Sequence, residues 1–204
     1  TYCILTHSDA NNPPMISLCT SDGTQIRNIE NNAKLFNTLS EYQLTQKEFF
    51  RFKTSEGTEL NGWMMKPTEN KNIKYPVLLF VYGGPGHNTV NNSWDRDFMW
   101  YQMLCQKEYI VVSVDTRGSG NRGADFRKCT YKQLGKSETE DMIETAKYLG
   151  SLPFIDKNRI GIWGWSYGGY ISSLCITKGA DYFKMAIAMA PVVNWRYYNS
   201  IYTE

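Results

Sequence analysis

Residues 164–168 read Gly-Trp-Ser-Tyr-Gly, a Gly-x-Ser-x-Gly motif with Ser166 at its centre. An apolar run at 159–165 precedes the serine and another at 171–176 follows it, which predicts a strand that turns sharply into a helix. On so tight a turn, the two glycines keep side chains from colliding, and the serine hydroxyl stands at a helix N-terminus, where negative charge is stabilised. The pattern predicts that Ser166 is a nucleophile. The alternative is a serine in an ordinary strand-to-helix turn.

Attack by Ser166 on a carbonyl group would create an oxyanion, which needs hydrogen-bond donors about 2.7–3.1 Å away. We expect the backbone N–H of Tyr167 to be the first donor and a group in a loop after an earlier strand to be the second. Tyr82 occupies such a place, directly before Gly-Gly-Pro-Gly at 83–86. The residues alone explain Tyr82 equally well as an oxyanion donor or as a core tyrosine that ends a strand.

Aromatic residues are dense in the block 190–202, which follows the next predicted strand. Tyr198 and Tyr202 are four residues apart, so on a helix they would share one face. Together with Trp195, the two rings could form the wall of a small flat pocket suited to a ring such as that of proline. From the residues alone, ordinary core packing is the preferred interpretation.

The two histidines, His7 and His87, both precede Ser166. In an α/β-hydrolase the chain order is serine, then acid, then histidine, so we expect the acid and the histidine of a catalytic triad beyond residue 204. Asp115 also precedes the serine, and with Arg117 it is interpreted as structuring a loop. A substitute role as a base is left open for His87, which lies in the glycine-rich loop after Tyr82.

The chain has 204 residues, of which 42% are apolar, and a net charge of +2 with both signs mixed. This composition allows a sizeable core and does not favour nucleic acid or an anionic membrane as a partner. No run reaches the roughly 18 apolar residues that a membrane span needs. Thr1 is not an initiator methionine, and we expect the chain to be a piece of a longer protein.

Five cysteines without Cys-x-x-Cys spacing predict neither a metal cluster nor a disulfide framework, and we expect most of them to be buried thiols.

Two patterns divide the chain. Residues 1–30 contain short strand-like runs separated by turn residues, which predicts antiparallel strands from the end of a larger β structure. The segment 31–45 is interpreted as a connection with one helical turn, and the predicted domains are 1–42 and 43–204. The second domain is expected to begin with a hairpin, and its strands then alternate with helices. The predicted hairpin strands are 48–54 and 59–67. The later predicted strands are 75–82, 109–115, 159–165 and 184–190. A helical stretch is predicted at 97–107, between the strands 75–82 and 109–115.

Alternating strands and helices predict a mostly parallel sheet with helices on both faces, an incomplete α/β-hydrolase fold. Its carboxyl edge, where ligands bind in such sheets, should carry Tyr82, Asp115 and Ser166. Another helix is expected to begin at a capping box formed by residues 137–140, with Asp141 in its first turn and an apolar stripe at Met142, Ala146 and Leu149.

Four segments together resemble the dipeptidyl peptidase IV family, which belongs to the prolyl oligopeptidase clan of serine peptidases. They are Val-Tyr-Gly-Gly-Pro at 81–85, Asp-Thr-Arg-Gly-Ser-Gly at 115–120, Gly-Trp-Ser-Tyr-Gly-Gly-Tyr at 164–170 and Trp-Arg-Tyr-Tyr-Asn-Ser-Ile-Tyr-Thr-Glu at 195–204. The resemblance covers residues 46–204, and residues 1–40 resemble the end of the family's β-propeller. Trp165, before the serine, favours the dipeptidyl branch of the clan.

The resemblance implies a role for each matching residue. Ser166 corresponds to the nucleophile, and the Tyr82 hydroxyl with the Tyr167 N–H corresponds to the oxyanion hole. The pocket for proline or alanine at the second substrate position corresponds to Val192, Trp195, Tyr198 and Tyr202. Asn199 departs from an aspartate that is common in the family.

The implied function is that of a serine exopeptidase, which releases Xaa-Pro or Xaa-Ala dipeptides from peptide N-termini without a metal or cofactor. The triad Asp and His would lie beyond residue 204 and the glutamates that bind the substrate's amino terminus before residue 1, so residues 1–204 alone should be inactive. The family also implies a homodimer that is secreted, periplasmic or membrane-attached. The alternatives are an acylaminoacyl peptidase or a prolyl oligopeptidase of the same clan, or a non-catalytic homologue that acts as a binding module.

Overall fold

The structure is a computed structural model that describes residues 1–68 and 73–203. A three-stranded antiparallel sheet comes first, with the strands in the order β1-β2-β3. The turn from β2 to β3 contains Gly23, whose φ of 89° lies in a region that glycine enters without steric cost. The predicted antiparallel strands are thus confirmed. Their bounds are β1 Tyr2–His7, β2 Met15–Thr20 and β3 Gln25–Glu30.

A second sheet of six strands forms the larger part of the fold, in the order β4-β5-β7-β6-β8-β9. β4 and β5 form the predicted antiparallel hairpin and β5 pairs antiparallel with β7, whereas the other neighbours are parallel. The mostly parallel α/β sheet is therefore confirmed. The strands are β4 Glu48–Lys53, β5 Glu59–Met65, β6 Tyr75–Phe80, β7 Ile110–Asp115, β8 Ile155–Trp165 and β9 Met185–Met189.

Helices cover both faces of this sheet and enclose two apolar cores. α4 and α5 pack on β8 over the larger core, which includes the predicted stripe of Met142, Ala146 and Leu149. α2 packs on β5 and β7 over a smaller core around Trp63 and Tyr101. The helices are α1 Ala33–Ser40, α2 Phe98–Gln106, α3 Ala124–Lys128, α4 Lys136–Ser151, α5 Tyr167–Lys178 and α6 Ser200–Thr203, and a 3₁₀ turn covers Trp195–Tyr197.

Polar contacts join the connection between β1 and β2 to two segments that adjoin the large sheet, one before β4 and one before α2. The Asn11 side chain, in the β1–β2 connection, accepts a hydrogen bond from the Lys47 N–H (2.7 Å) and donates one to the Lys47 carbonyl (3.3 Å). The Ala10 N–H donates to the Asn92 side chain at 3.0 Å. α1 lies between the sheets and has two turns, where one was predicted. The predicted boundary after residue 42 falls between α1 and β4 and stays a prediction.

The beginning of α4 differs from the prediction. The helix starts at Lys136, and its N-cap is Gly135 with φ 84°, so Ser137 lies inside the first turn. A glycine has no side chain to accept a hydrogen bond, and only the acidic half of a capping box exists: the Gly135 N–H donates to Glu138 at 3.1 Å. Asp141 therefore lies in the second turn, not the first, and its side chain is fully buried.

Asp141 anchors the loop after β7. Its carboxylate accepts hydrogen bonds from the Arg117 backbone N–H (2.6 Å) and the Arg117 Nε (2.9 Å). Burial raises the pKa of Asp141, and the bonds from Arg117 act in the opposite direction. Asp115 accepts a bond from the Thr89 N–H at 2.7 Å. Both acidic groups hold loops in place, which confirms the structural interpretation of Asp115 and Arg117.

The prediction of mostly buried thiols is confirmed, since Cys19, Cys105 and Cys175 are buried and all five cysteines are free. Burial raises the pKa of Cys105 and of Cys175 to about 12. Across residues 1–68 and 73–203, no helix is long and apolar enough to cross a membrane.

Replacing Asp141→Ala should lower the free energy of unfolding by about 2–3 kcal/mol, because the half-buried Arg117 guanidinium and its backbone N–H lose their buried partner. Glu140→Ala is the matched control. Glu140 contacts the same guanidinium at 3.3 Å but is exposed, so its loss should change stability by less than about 0.5 kcal/mol. Urea unfolding of the full-length protein, followed by tryptophan fluorescence, measures both. Equal effects of the two substitutions would contradict the anchoring role.

Candidate active site

Ser166 lies at the junction of β8 and α5 in a strained backbone conformation. Its φ of 56° and ψ of −118° are uncommon for a residue with a side chain, and such strain costs on the order of 1–3 kcal/mol. Two backbone hydrogen bonds hold the bend: the Ser166 N–H donates to the Met189 carbonyl (2.9 Å), and the Tyr170 N–H donates to the Ser166 carbonyl (3.1 Å). The predicted sharp strand-to-helix turn is present, with Ser166 half-buried at its tip.

Close backbone packing explains the glycines on either side of the serine. A Cβ at Gly164 would overlap the backbone of Gly168, which is the collision across the turn that the sequence predicts. A Cβ at either glycine would also overlap the Val81 carbonyl oxygen. The end of the neighbouring strand β6 thus passes directly against the bend. This second reason for glycine was not visible in the sequence, because Val81 is more than 80 residues away along the chain.

Tyr82 lies beside the bend as a result. A Cβ at Gly168 would come within 3.0 Å of the Tyr82 Cα, so the two backbones nearly touch. The Tyr82 ring packs against His87, with ring centroids 4.5 Å apart, and lies 6.4 Å from the Tyr167 ring. A Cβ at Gly84 would come within 2.5 Å of the Tyr82 ring, so glycine is required for the ring to lie over this loop.

Tyr167 is the first residue of α5, and its side chain is almost fully buried. Its hydroxyl donates a hydrogen bond to Glu138 at 2.5 Å. Burial raises the pKa of Glu138, and the bond from Tyr167 opposes this effect. Burial next to Glu138 also raises the pKa of Tyr167. Sequence reasoning missed Glu138 as part of the site; its only local signal was an acidic residue near a helix start.

Three aromatic side chains after β9 form one cluster. The Trp195 and Tyr202 rings stack with centroids 5.7 Å apart, and Tyr198 meets Trp195 edge-on at 5.6 Å and Tyr202 at 5.3 Å. Tyr167 joins the cluster at 5.6 Å from Trp195. Tyr198 is 41% exposed and Tyr202 39%. Both rings therefore lie outside the two buried cores of residues 1–68 and 73–203, and their role as walls of a pocket stays a prediction.

The two tyrosines do not share one helix. The 3₁₀ turn ends before Tyr198, which has an extended backbone, and α6 begins only at Ser200. Asn199 lies between them, and its side-chain oxygen accepts a hydrogen bond from the Tyr202 N–H at 3.0 Å. Asparagine therefore retains the capping oxygen that an aspartate would supply there. Val192 is half-buried in the preceding loop.

A polar cleft of about 370 Å³ adjoins the bend, lined in part by Tyr82, His87 and Trp165. The His87 ring packs on Tyr82, and no hydrogen bond joins it to Ser166 in the part of the chain that the structure describes. His7 lies in β1 of the small sheet. Neither histidine is therefore placed as a base for Ser166. Within residues 1–68 and 73–203, no three His, Cys, Asp or Glu side chains are grouped to hold a metal ion.

A serine on a strained bend at the carboxyl end of a parallel strand, with a helix directly after it, defines the class as α/β-hydrolase proteins with a serine nucleophile site. Residues 96–204 match the profile of the Prolyl oligopeptidase family. The chain belongs to the prolyl oligopeptidase family.

Individual relatives agree with this assignment. The chain is 36% identical over its whole length to the "Probable dipeptidyl peptidase 4" of Aspergillus flavus, and it spans 27% of that protein. Over 88% of its length it is 41% identical to the "Prolyl endopeptidase FAP" of Bos taurus and spans 24% of it. The crystal structure of Porphyromonas gingivalis dipeptidyl peptidase 4 superposes with a TM-score of 0.94 at 43% identity, covering 99% of this chain and 29% of that one. The resemblance to the dipeptidyl peptidase IV family is confirmed.

Replacing Gly168→Ala should lower the reactivity of Ser166 by about 100-fold or more, because the new methyl group would displace the Val81 carbonyl and the Tyr82 backbone. A shift of about 1 Å at a reacting group can cost about 100-fold in rate. The rate at which a fluorophosphonate labels Ser166 in the full-length protein measures the effect. Gly150→Ala in α4 is the control: its nearest neighbour would be the Lys157 side chain, and labelling should be unchanged. Normal labelling of the Gly168→Ala variant would contradict the packing explanation.

Proposed function

We propose that the full-length protein is a serine exopeptidase, which releases Xaa-Pro or Xaa-Ala dipeptides from peptide N-termini through an acyl-enzyme on Ser166. The observation that carries the proposal is the arrangement around the bend. The strained Ser166 is followed by the buried Tyr167, and partly exposed aromatic rings contact Tyr167 on the other side. A nucleophile next to an open aromatic surface suits an apolar, ring-shaped residue beside the scissile bond.

In the proposed reaction, the Ser166 Oγ attacks the carbonyl carbon of the substrate's second residue and loses its proton to a histidine beyond residue 204. The Tyr167 N–H and the Tyr82 hydroxyl donate hydrogen bonds to the oxyanion. The C–N bond then breaks, and the histidine gives its proton to the departing amine. Water attacks the resulting ester in the same way and releases the dipeptide acid.

Trp195, Tyr198, Tyr202 and Val192 form the proposed pocket for proline or alanine. The edge-on contacts of Tyr198 with Trp195 and Tyr202 hold the rings at steep angles to one another, which leaves faces and edges of aromatic carbon around a small volume. Burial, with a smaller contribution from nearby Tyr82 and Tyr198, raises the pKa of Tyr202 to about 12. A tyrosine hydroxyl is neutral near pH 7 even at its ordinary pKa, and the shift keeps Tyr202 neutral in more basic solution as well.

The family resemblance supports three further parts of the proposal. Residues 1–204 contain no histidine after Ser166, so this length of chain should be inactive by itself. The full-length protein should be a homodimer. It should be secreted, periplasmic or attached to a membrane. Size measurement of the purified full-length protein and fractionation of its source cells test the last two.

A second candidate is an endopeptidase that cleaves after proline, and the similarity to relatives named prolyl endopeptidase favours it. The aromatic pocket serves both activities equally, because it binds the residue before the scissile bond. The two differ in whether the substrate needs a free amino terminus. A non-catalytic homologue has less support, because Ser166, its glycines and Tyr82 are all retained.

The full-length protein should hydrolyse a Gly-Pro anilide with a free amine at least about 100-fold faster, in kcat/KM, than the same anilide with an acylated amine. A free amine that pairs with buried carboxylates contributes several kcal/mol, and 1.4 kcal/mol corresponds to a factor of ten. Ser166→Ala should remove both activities, and residues 1–204 alone should show none. Equal rates on the two anilides would favour the endopeptidase, and turnover by residues 1–204 would contradict the proposed need for a later histidine.

Replacing Tyr82→Phe should lower kcat by about 100-fold, the usual cost of losing one oxyanion donor, and should change KM little. Tyr197→Phe is the matched control, because this tyrosine is 88% exposed and its loss of a hydroxyl should leave kcat unchanged. Steady-state kinetics on the free-amine anilide measure both. Full activity of the Tyr82→Phe variant would exclude its hydroxyl from the oxyanion hole.

A further inference from the structure

Glu138 is a carboxylate without solvent exposure, and each of its oxygens faces one donor. Oε1 accepts a hydrogen bond from the Tyr167 hydroxyl at 2.5 Å, and Oε2 accepts one from the Gly135 N–H at 3.1 Å. The second donor lies at the N-terminus of α4, whose dipole favours a negative charge. Burying a carboxylate without hydrogen-bond partners costs free energy, and here both oxygens have a partner.

The partner of Glu138 is the residue directly after the proposed nucleophile. Tyr167 contributes its backbone N–H to the proposed oxyanion hole, and its side chain runs from that point into the core, where it ends on Glu138. The preceding residue, Ser166, is strained and would relax if its surroundings allowed it. A fixed Tyr167 ring therefore limits the rotation of the peptide that joins Ser166 to Tyr167, and with it the direction of the N–H.

We propose that Glu138 is a positioning residue for acyl transfer: through the Tyr167 hydroxyl, it fixes the N–H that stabilises the oxyanion and the ring that supports the aromatic pocket. This inference rests on the proposed function. The chemistry requires a carboxylate rather than an amide, because two donors face two acceptor oxygens. Glutamine has one acceptor oxygen, so Glu138→Gln leaves either the Tyr167 hydroxyl or the Gly135 N–H facing an NH₂ group.

A second tyrosine provides a matched comparison. The Tyr170 hydroxyl, one turn further along α5, donates to the Leu134 carbonyl at 3.0 Å, again at the beginning of α4. Both hydroxyls join the same two helix ends, but only Tyr167 is adjacent to Ser166. If the contact between α4 and α5 matters only for stability, the loss of either hydroxyl should have the same kind of effect.

The experiment compares Glu138→Gln, Tyr167→Phe, the double variant and Tyr170→Phe in the full-length protein, with kcat expressed per serine titrated by fluorophosphonate. We expect Glu138→Gln and Tyr167→Phe each to lower kcat about tenfold, since a displaced oxyanion donor should cost less than a removed one, with KM within about twofold. The double variant should be no worse than Tyr167→Phe, because the two substitutions break the same contact. Tyr170→Phe removes only the hydroxyl and keeps both the ring and the backbone N–H that holds the Ser166 bend, so its kcat should stay within about twofold of the wild-type value.

Two results would overturn the positioning role while leaving the peptidase proposal intact. One is a wild-type kcat per titrated serine in both single variants. The other is an equal loss in Tyr170→Phe, which would make the effect a general one on the contact between the helices. An inactive wild-type protein would instead overturn the proposed function, and the positioning role with it.

Discussion

The close contact between the Val81 carbonyl and the backbone of the serine bend is the constraint on which the rest of the site depends. It leaves no room for a side chain at Gly164 or Gly168, and it brings the residue after Val81 directly beside the bend. The strain at Ser166 persists because β6 and β9 flank the end of β8, with backbone hydrogen bonds from the Val81 N–H to the Trp163 carbonyl and from the Ser166 N–H to the Met189 carbonyl. Reactivity and oxyanion stabilisation thus have one geometric origin in neighbouring strands of the sheet.

Hydrogen bonds from the beginning of α4 also stabilise the serine bend and the loop after β7. The first two turns of α4 carry two buried acids with different partners: Asp141 binds the loop after β7, and Glu138 binds the first residue of α5. Each is paired with a donor from another element, so the cost of burying the charge is offset by specific hydrogen bonds rather than by water. The site therefore depends on buried hydrogen bonds of Glu138 and Asp141, although the side chains around them are mostly apolar.

Much of the fold and the bend at Ser166 could be predicted from local sequence patterns. Uninterrupted apolar runs indicated the parallel strands, turn residues indicated the hairpins, and the spacing around Ser166 indicated the bend. The errors arose where two local patterns compete or where distant residues decide. The start of α4 follows Gly135 and Glu138 rather than Ser137 and Glu140, because the first pair places Glu138 under Tyr167. Spacing alone could not show that Tyr198 and Tyr202 meet across a break between two helical turns, and the Glu138 contact with Tyr167 spans 29 residues without a local signal.

Hydrogen bonds tie the loop between Tyr82 and α2 to two different parts of the protein. The Thr89 N–H, in the middle of the loop, donates to Asp115 at the carboxyl end of β7. Further on, the Asn92 side chain accepts a hydrogen bond from the Ala10 N–H, and the Trp94 N–H donates to the Ser8 side chain, both in the connection between β1 and β2. A displacement of the connection between β1 and β2 would therefore act, through these hydrogen bonds, on the segment that begins at the proposed oxyanion donor, Tyr82.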